Sequence, residues 1–499
     1  MNFSYLTFSD SAKYALIAKN ILEGNGFVTN FSFWGHNLFS TGGIPILYPY
    51  LISIFLKLFG TSDFSVIITS FLFYILLLIV VFYTTKKIFN SFVGIMASIS
   101  VLTNLNFIYY TTSGASEVLF SFEIVLALFL VSQKKIWSDC LGIIVLIAMY
   151  FTRPQAFIFI AGLFLFWLIL KFGVKRAFVM LFGLSIFGIF VDRFVIFPLS
   201  FKYPLTPVVW RGLESILTYS SNSAVSDALR GGEGSTLGIQ EIFKKIFYNL
   251  YNFYKALPDI MNPYLFGLFI IGLFNRSKNK LQNSFKISVL FLTLLTFFVT
   301  ALSIPFYRYI HPVVPLIYIV AVGTMVNIVS QFASDGLRVS KEKFTALAST
   351  FLILFFAAGQ TLGVIFLDSR FERKMKNTDK APIYVEMSYK LKEITDKDMV
   401  IVTNLDTWGS WYGERKTIWF PLEPNMILPV QGSIDAIYLT SYKMDDENYY
   451  MGEKWREIFN NPVKQTILPD YEFVGVYQFN ADDNYEKESG RSVLLKRKK

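Results

Sequence analysis

Four charged residues carry the chemistry this sequence could do. They are Asp10 in FSDSAKYALIAKN, Glu117 in TTSGASEVLF, Arg153 in YFTRPQAF and Arg308 in IPFYRYIHPVVP. A carboxylate at a water–membrane boundary can act as a general base, drawing a proton from an acceptor hydroxyl or amine. Asp10 is equally suited to capping the first turn of a helix, and spacing alone does not choose between the two. Glu117 falls just inside the end of an apolar segment, where an ionisable side chain is expensive and a functional candidate by default. The alternative is a wet first-turn acid favoured by the helix dipole. Arg153 and Arg308 also sit at the ends of apolar segments, and each asks for a negative partner. A lipid-linked phosphate would supply one, since a guanidinium suits bidentate phosphate contact; snorkelling to headgroups is the alternative. Tyr309 and His311 flank Arg308 without being specific in themselves.

The remaining candidates are weaker. Glu123 lies deeper in its segment and reads as structural or paired, and Asp192-Arg193 in FGIFVDRFVIF as an adjacent buried pair or a functional one. His36, in FWGHNLFSTGG, reads as a solvated loop histidine, with metal binding as the alternative. ALRGGEGSTLG reads as a mobile turn, because it lacks the strand–turn–helix context of a phosphate loop.

These residues must be positioned by a chain that is mostly membrane. Of 499 residues, 54% are hydrophobic and only 16% charged, against about a quarter charged in soluble proteins. The single cysteine, Cys140, excludes an internal disulfide and a cysteine-based metal cage, and two histidines leave little room for a histidine-rich one. No metal is assigned, and a divalent ion is left open as a cofactor. The net charge of +10 raises the question of membrane sidedness before that of nucleic acid, which is not expected as a partner.

A span needs about 20 apolar residues to cross roughly 30 Å of hydrocarbon. About ten candidates follow, near 63–85, 91–110, 114–133, 137–152, 155–171, 177–199, 258–275, 287–304, 308–330 and 344–367. IPILYPYLISIFLKLFG (44–60) is short for a span and suits an interfacial or re-entrant helix. With it left out, the basic turns Lys86-Lys87, Lys134-Lys135, Lys171/Lys175/Arg176, Arg276–Lys286 and Arg338/Lys341/Lys343 all fall on one face, the cytoplasmic one. Residues 1–62, 200–257 and the tail after 368 then lie outside the cytoplasm. Nothing before Asp10 exports that first segment, so one N-terminal membrane helix is expected to be missing from the start. In the alternative, 44–60 spans and Asp10 is cytoplasmic. IFKKIFYNLYNFYKAL reads as an amphipathic helix lying on the outer membrane surface.

Character changes at about Asp368. A helix near 382–395 and strand-like runs MVIVT, KTIWF, DAIYLT, YEFVGVYQF and SVLLK predict a small extracytoplasmic α/β domain over 368–499. The expected architecture is a multi-pass α-helical membrane protein of about 10 spans with interfacial helices and a small C-terminal soluble α/β domain. Its units are an outer segment 1–62, a membrane domain 63–367 and the α/β domain.

The order of these pieces resembles the polytopic GT-C glycosyltransferases that use polyprenyl-phosphate sugars, in the branch of protein O-mannosyltransferases and aminoarabinose transferases. The residues that carry the resemblance are DSAKYALIAKNILEGNGF, PILYPYLISIFLKLFG, SGASEVLF, TRPQAF and RYIHPVVPLIYI, across most of 8–320, with WYGERKTIWF in the tail similar to outer domains of many members. In that family an acid in the first outer loop, just after a first membrane helix, contributes to the active site; the resemblance places it on Asp10. The family's proline-rich segment, which lies along the membrane surface, corresponds to 44–60. Two departures limit what carries over. Protein O-mannosyltransferases have Asp-Glu where this chain has Asp10-Ser11, and aminoarabinose transferases have Glu-Lys before the proline where it has Gly43-Ile44.

The resemblance implies an integral plasma-membrane enzyme that transfers a sugar, with inversion, from a polyprenyl-phosphate donor to a lipid, glycan or protein acceptor. Asp10 would be the base, and Arg308, Arg153 and Tyr309 would hold the donor phosphate. Glu117 would orient sugar or acceptor. The rival class is a lipid or glycolipid transporter or flippase, but such proteins show internal repeats and broken helices at the midplane. A sensor or scaffold with a ligand-binding outer domain is a third reading.

Overall fold

The computed structural model describes residues 5–35, 39, 44–133, 135–199, 215–232, 236–332, 340–367, 381–446, 449–480 and 490–498. His36, Lys134, Arg338 and Gly43 lie outside the described residues.

The chain begins with α1 (Ser9–Leu22). Ala12, Ala15 and Ala18 line its buried face and let neighbouring backbones approach closely. The N-cap position is held by Phe8, which makes no side-chain cap bond. Asp10 is therefore a first-turn residue, and the capping alternative does not hold. Next, α2 (Leu47–Phe59) has 13 residues, about 20 Å at 1.5 Å per residue, and falls well short of the hydrocarbon thickness. Tyr48, Ile52 and Leu56 are buried while Tyr50, Ile54 and Leu58 are exposed, the two faces expected of a helix at an interface.

Then comes α3 (Asp63–Ile88), capped by Ser62 and ending on Lys86 and Lys87, so both ends suit the helix dipole. The candidate span 91–110 is broken: α4 (Ser91–Leu102) and α5 (Leu105–Thr112) meet at a bend of 59°. The Asn104 side chain accepts from Phe107 N and starts a new helix there. There follow α6 (Glu117–Ser132), α7 (Ile136–Thr152), α8 (Ala156–Phe172) and α9 (Val174–Val191). Beyond the outer loop come α10 (Asn222–Leu229), α11 (Ile239–Lys255), α12 (Pro263–Phe274), α13 (Lys280–Leu302), α14 (Val314–Phe332) and α15 (Lys341–Leu367).

Among the described residues four helical stretches are individually long and apolar enough to cross a membrane: 63–88, 174–199, 280–302 and 307–332. The bent pair makes up to five. The count of about ten is not reached by single long helices. Several expected spans are shorter apolar helices instead, including α7 and α8 at 17 residues each, the lower limit for crossing. Along α11, Phe243, Phe247, Tyr248, Tyr251 and Tyr254 are exposed while Ile246, Asn249 and Phe253 are buried, the pattern of a surface-lying amphipathic helix.

The tail forms α16 (Ile383–Ile394), α17 (Glu453–Asn460) and a six-stranded sheet of order β1-β3-β2-β4-β6-β5. The strands are β2 (Val400–Thr403), β3 (Lys416–Trp419), β4 (Ala436–Thr440), β5 (Tyr471–Phe479) and β6 (Gly490–Arg497). Each falls on an expected run. The edge strand β1 (Phe31–Ser32) comes from the first segment of the chain and pairs parallel with β3. One face of the sheet is covered by α16 through Val385, Met387 and Leu391, in a core shared with Ala12, Ala15, Tyr48 and Val66. The other face is covered by α17 through Trp455, Ile458 and Phe459, with Leu16 and Phe31 joining it. α1 is thus wedged between bundle and sheet, and the first segment and the tail share one side of the spans.

The outer loop is tied to the same side. Arg230, expected in a mobile turn, is 1% exposed. Its guanidinium lies 3.9 Å from the Phe420 ring centroid and donates to the carbonyls of Phe420, Pro421 and Tyr450. Burying the guanidinium against backbone oxygens fixes Arg230 beside the sheet, while residues 233–235 of that run lie outside the described residues.

Candidate active site

Asp10, Glu117, Arg153 and Arg308, far apart in sequence, converge where α1 meets the bundle. Each is brought there by local chemistry. Gly114 precedes α6 at φ +70°, and a Cβ there would lie 2.8 Å from Val66 Cγ1, so the turn accepts only glycine without rearrangement. Tyr48 Oη donates to Gly114 O at 2.9 Å and Ser70 Oγ to Ala115 O at 3.1 Å, which pins the entry to α6 and places Glu117 at its first position. Arg153 precedes Pro154, whose ring disfavours helical geometry in the residue before it. Arg153 is accordingly extended (φ −152°, ψ 146°) and ends α7. Its guanidinium turns inward, donating to Ser116 Oγ at 3.0 Å and Gln155 Oε1 at 3.1 Å.

Arg308 sits in a 3₁₀ turn (Tyr307–Tyr309) followed by a second (His311–Val313). Pro305 and Pro312 lack the N–H groups that a continuous α-helix would need. The rings of Phe8, Phe306 and Tyr309 surround its guanidinium, with centroids at 5.1, 5.4 and 5.5 Å. The turn is backed by a hydrogen bond between Tyr110 and His311.

The charges alternate. Arg308 Nη1 pairs with Asp10 Oδ2 and stands 4.0 Å from Glu117 Oε1, which in turn is 2.7 Å from Arg153 Nη1. Glu117 and Arg153 are deeply buried, whereas the Asp10 and Arg308 side chains are 39% and 23% exposed. The Asp10–Arg308 pair is therefore the half of the cluster open to solvent. Snorkelling to headgroups does not describe Arg153, whose guanidinium is internal. Tyr309 lies beside both arginines, its ring 6.0 Å from the Arg153 guanidinium.

Burial alone would raise the Asp10 pKa. The Arg308 guanidinium, with Lys13 and Arg153 behind it, outweighs burial and holds the carboxyl below its ordinary value. While that pair persists, Asp10 is an anion but a poor proton acceptor. Tyr14, one turn along α1, is pushed up to about 12, by burial first and then by Asp10, so it stays protonated beside Ser116, 3.5 Å away.

Three neighbours were not singled out from the sequence. Lys13 shares a half-buried side of α1 with Asp10, its ammonium 4.2 Å from the Phe33 ring centroid. The i, i+3 spacing was the available signal. Asp406, in the left-handed region at φ 57°, accepts from Ser9 Oγ at 2.7 Å and Tyr449 Oη at 2.8 Å, while Thr407 Oγ1 donates to Ser9 O at 2.8 Å. The sheet domain thereby grips the first turn of α1, and no spacing in the sequence announces it.

Glu123 is buried and accepts from Thr152 Oγ1 at 2.8 Å, a paired structural residue. Asp192 is also buried and opens a π-helical turn (Asp192–Ile196) after α9. Among the described residues no group of three or more His, Cys, Asp or Glu side chains could hold a metal ion, so no residue is assigned to one.

Residues 44–194 match the family model described as dolichyl-phosphate-mannose-protein mannosyltransferase. No curated protein matches the chain by sequence. Among solved structures, the chain is similar to ArnT from Cupriavidus metallidurans, in the apo state and bound to undecaprenyl phosphate. Each has a TM-score of 0.52 at 11% identity, covering 99% of this chain and 94% of that one. It is also similar to the archaeal oligosaccharyltransferase AglB from Archaeoglobus fulgidus in complex with an inhibitory peptide and a dolichol-phosphate. There the TM-score is 0.54 at 12% identity, covering 96% of this chain and 70% of that one.

Proposed function

We propose that the chain is a GT-C glycosyltransferase that moves a sugar from a polyprenyl-phosphate donor to an acceptor, a reading supported by the family-model match over residues 44–194 and by the fold shared with ArnT and AglB. Transfer takes place at the membrane face that carries the sheet, which is the extracytoplasmic one. The observation that carries this reading is the alternation of Asp10, Arg308, Glu117 and Arg153, with its exposed half at the boundary between bundle and sheet. That solved proteins of the same fold hold undecaprenyl phosphate or dolichol-phosphate supports a lipid-phosphate donor. The functional unit is the bundle 63–367, with the segment 1–62 and the domain after 368 packed on one side.

The donor phosphate competes with Asp10 for Arg308. As the phosphate takes the guanidinium, Asp10 loses the charge that depresses its pKa and becomes a better base. It accepts the acceptor's proton while the acceptor's heteroatom bonds to the anomeric carbon. The bond from that carbon to the phosphate oxygen breaks on the opposite face, inverting the centre. The released polyprenyl phosphate carries the added negative charge, which Arg308 and Arg153 stabilise in place, with Tyr309 beside them. Glu117 holds Arg153 in position and orients the sugar or acceptor.

Reconstitution of the chain in vesicles with radiolabelled polyprenyl-phosphate hexoses and pentoses tests this reading. Transfer from nucleotide sugars but from none of the lipid-linked ones would overturn it. Arg308→Ala is expected to weaken donor binding about 10- to 100-fold, the worth of hydrogen bonds to a charged group. Equilibrium binding of the labelled donor measures it, and unchanged affinity would remove the phosphate contact. The pH dependence has a definite sign. Burial lowers Lys13 to about 8, against the opposing pull of Asp10 and Asp406, so the site loses a positive charge as pH rises through that value. Donor KM is expected to climb between pH 7 and 9, and Lys13→Gln to flatten the profile at the high-pH level.

A further inference from the structure

At the far end of the bundle lies a cavity of about 810 Å³, between the end of α3, the start of α4, the first turns of α13 and α15 and the last turns of α14. Arg308 lies just before α14 begins and the cavity closes on its end. The cavity is lined by that helix from Gly323 to Gln331, so its outer end lies roughly 25 Å along the helix from the Arg308 end, close to the thickness of a hydrocarbon core. The cavity therefore opens at the opposite membrane face, among the lysine-rich turns.

Its charge is one-sided. Among the described residues Arg276, Lys286 and Lys341 line it, against one acid, Glu342. Among the described residues none of these three cations makes an ion pair. Lys286 is the informative one. It is only 9% exposed, yet its ammonium donates one bond, to Asn275 O at 2.7 Å, leaving donor capacity unused. Burying an ammonium without a counter-charge is costly unless an anion completes the site. The uncharged lining is mixed: amides and hydroxyls such as Asn90, Gln282 and Asn327 stand beside an apolar strip of Phe89, Phe92 and Val326. An inorganic anion would leave that wall unused, whereas a headgroup with acyl chains attached would cover both.

We propose that this cavity binds the phosphate of an anionic membrane lipid. Arg276, Lys341 and the buried Lys286 hold the headgroup, and Phe92 and Val326 lie along the first carbons of its chains. The site is distinct from the Asp10 cluster and does not depend on the sugar-transfer reading.

The test is a native mass-spectrometry titration of the delipidated full chain in detergent, with phosphatidylglycerol and phosphatidylcholine of identical acyl chains. One phosphatidylglycerol is expected to be retained in preference to phosphatidylcholine. Arg276 and Lys341 are exposed, so removing them leaves the core untouched. The double variant R276Q/K341Q is expected to bind phosphatidylglycerol about 25-fold more weakly, about fivefold for each juxtamembrane charge. Equal retention of the two lipids by the unmodified chain would overturn the proposal without recourse to any variant. So would undiminished retention by the double variant, or full displacement of the lipid by millimolar inorganic phosphate, which would assign the site to a free anion.

Discussion

Replacing Asp10 with Asn is expected to lower transfer about 10²- to 10⁴-fold, the usual contribution of a positioned general base, without weakening the donor. The second half of that expectation is the more discriminating. In the resting site Asp10 occupies Arg308, and a donor phosphate has to displace it. An asparagine competes less well for a guanidinium than a carboxylate does, so donor affinity should hold or rise while turnover collapses. Single-turnover kinetics alongside equilibrium donor binding separate the two quantities. Wild-type turnover in Asp10→Asn would remove the base. A parallel loss of binding and turnover would recast Asp10 as a part of the donor site.

Glu117→Ala should be the most damaging change to stability, by about 3–5 kcal/mol, because it strands a buried guanidinium. The Glu117 and Arg153 side chains are 2% and 7% exposed, so water cannot replace the lost carboxylate. The paired variant E117L/R153L removes both charges and should recover most of that stability, since well-packed apolar replacements of buried ion pairs are often neutral or better. Its activity should stay absent. Thermal unfolding of the detergent-solubilised chain reads both effects. A single variant as stable as the parent would mean that Arg153 finds another partner, which would place the pair nearer to water than its burial indicates.

The contrast between these two pairs explains how much of the site could be read from the residues. Ionisable side chains at the ends of apolar segments stand out, so Glu117, Arg153 and Arg308 are visible one by one, whereas Asp10, in a polar helix, is singled out by the family resemblance. Their pairing is not visible, because no local periodicity relates position 10 to position 308. The same holds for the fold. Strands β2 to β6 coincide with compact β-branched and aromatic runs that local pattern describes well. The two residues of β1 carry no pattern of their own and are held only by β3. The break between α4 and α5 had a signal in Thr103-Asn104, a polar pair within an apolar run, which hydropathy averages away. Arg230 and Asp406 are settled by neighbours distant in the chain. Such contacts are properties of the assembled structure.

The wedge formed by α1 has a bearing on how the protein is made. Leu6 N donates to Tyr412 Oη and Leu6 O accepts from Trp408 Nε1, the latter across 402 residues of chain. Synthesis of that interval takes on the order of 20–80 s at about 5–20 residues per second. Throughout it the opening segment has neither its partner strand nor the grip of Asp406 on its first turn. On the proposed function, the first turn of α1 is then secured only once the tail is made, and prematurely terminated products are expected to transfer no sugar.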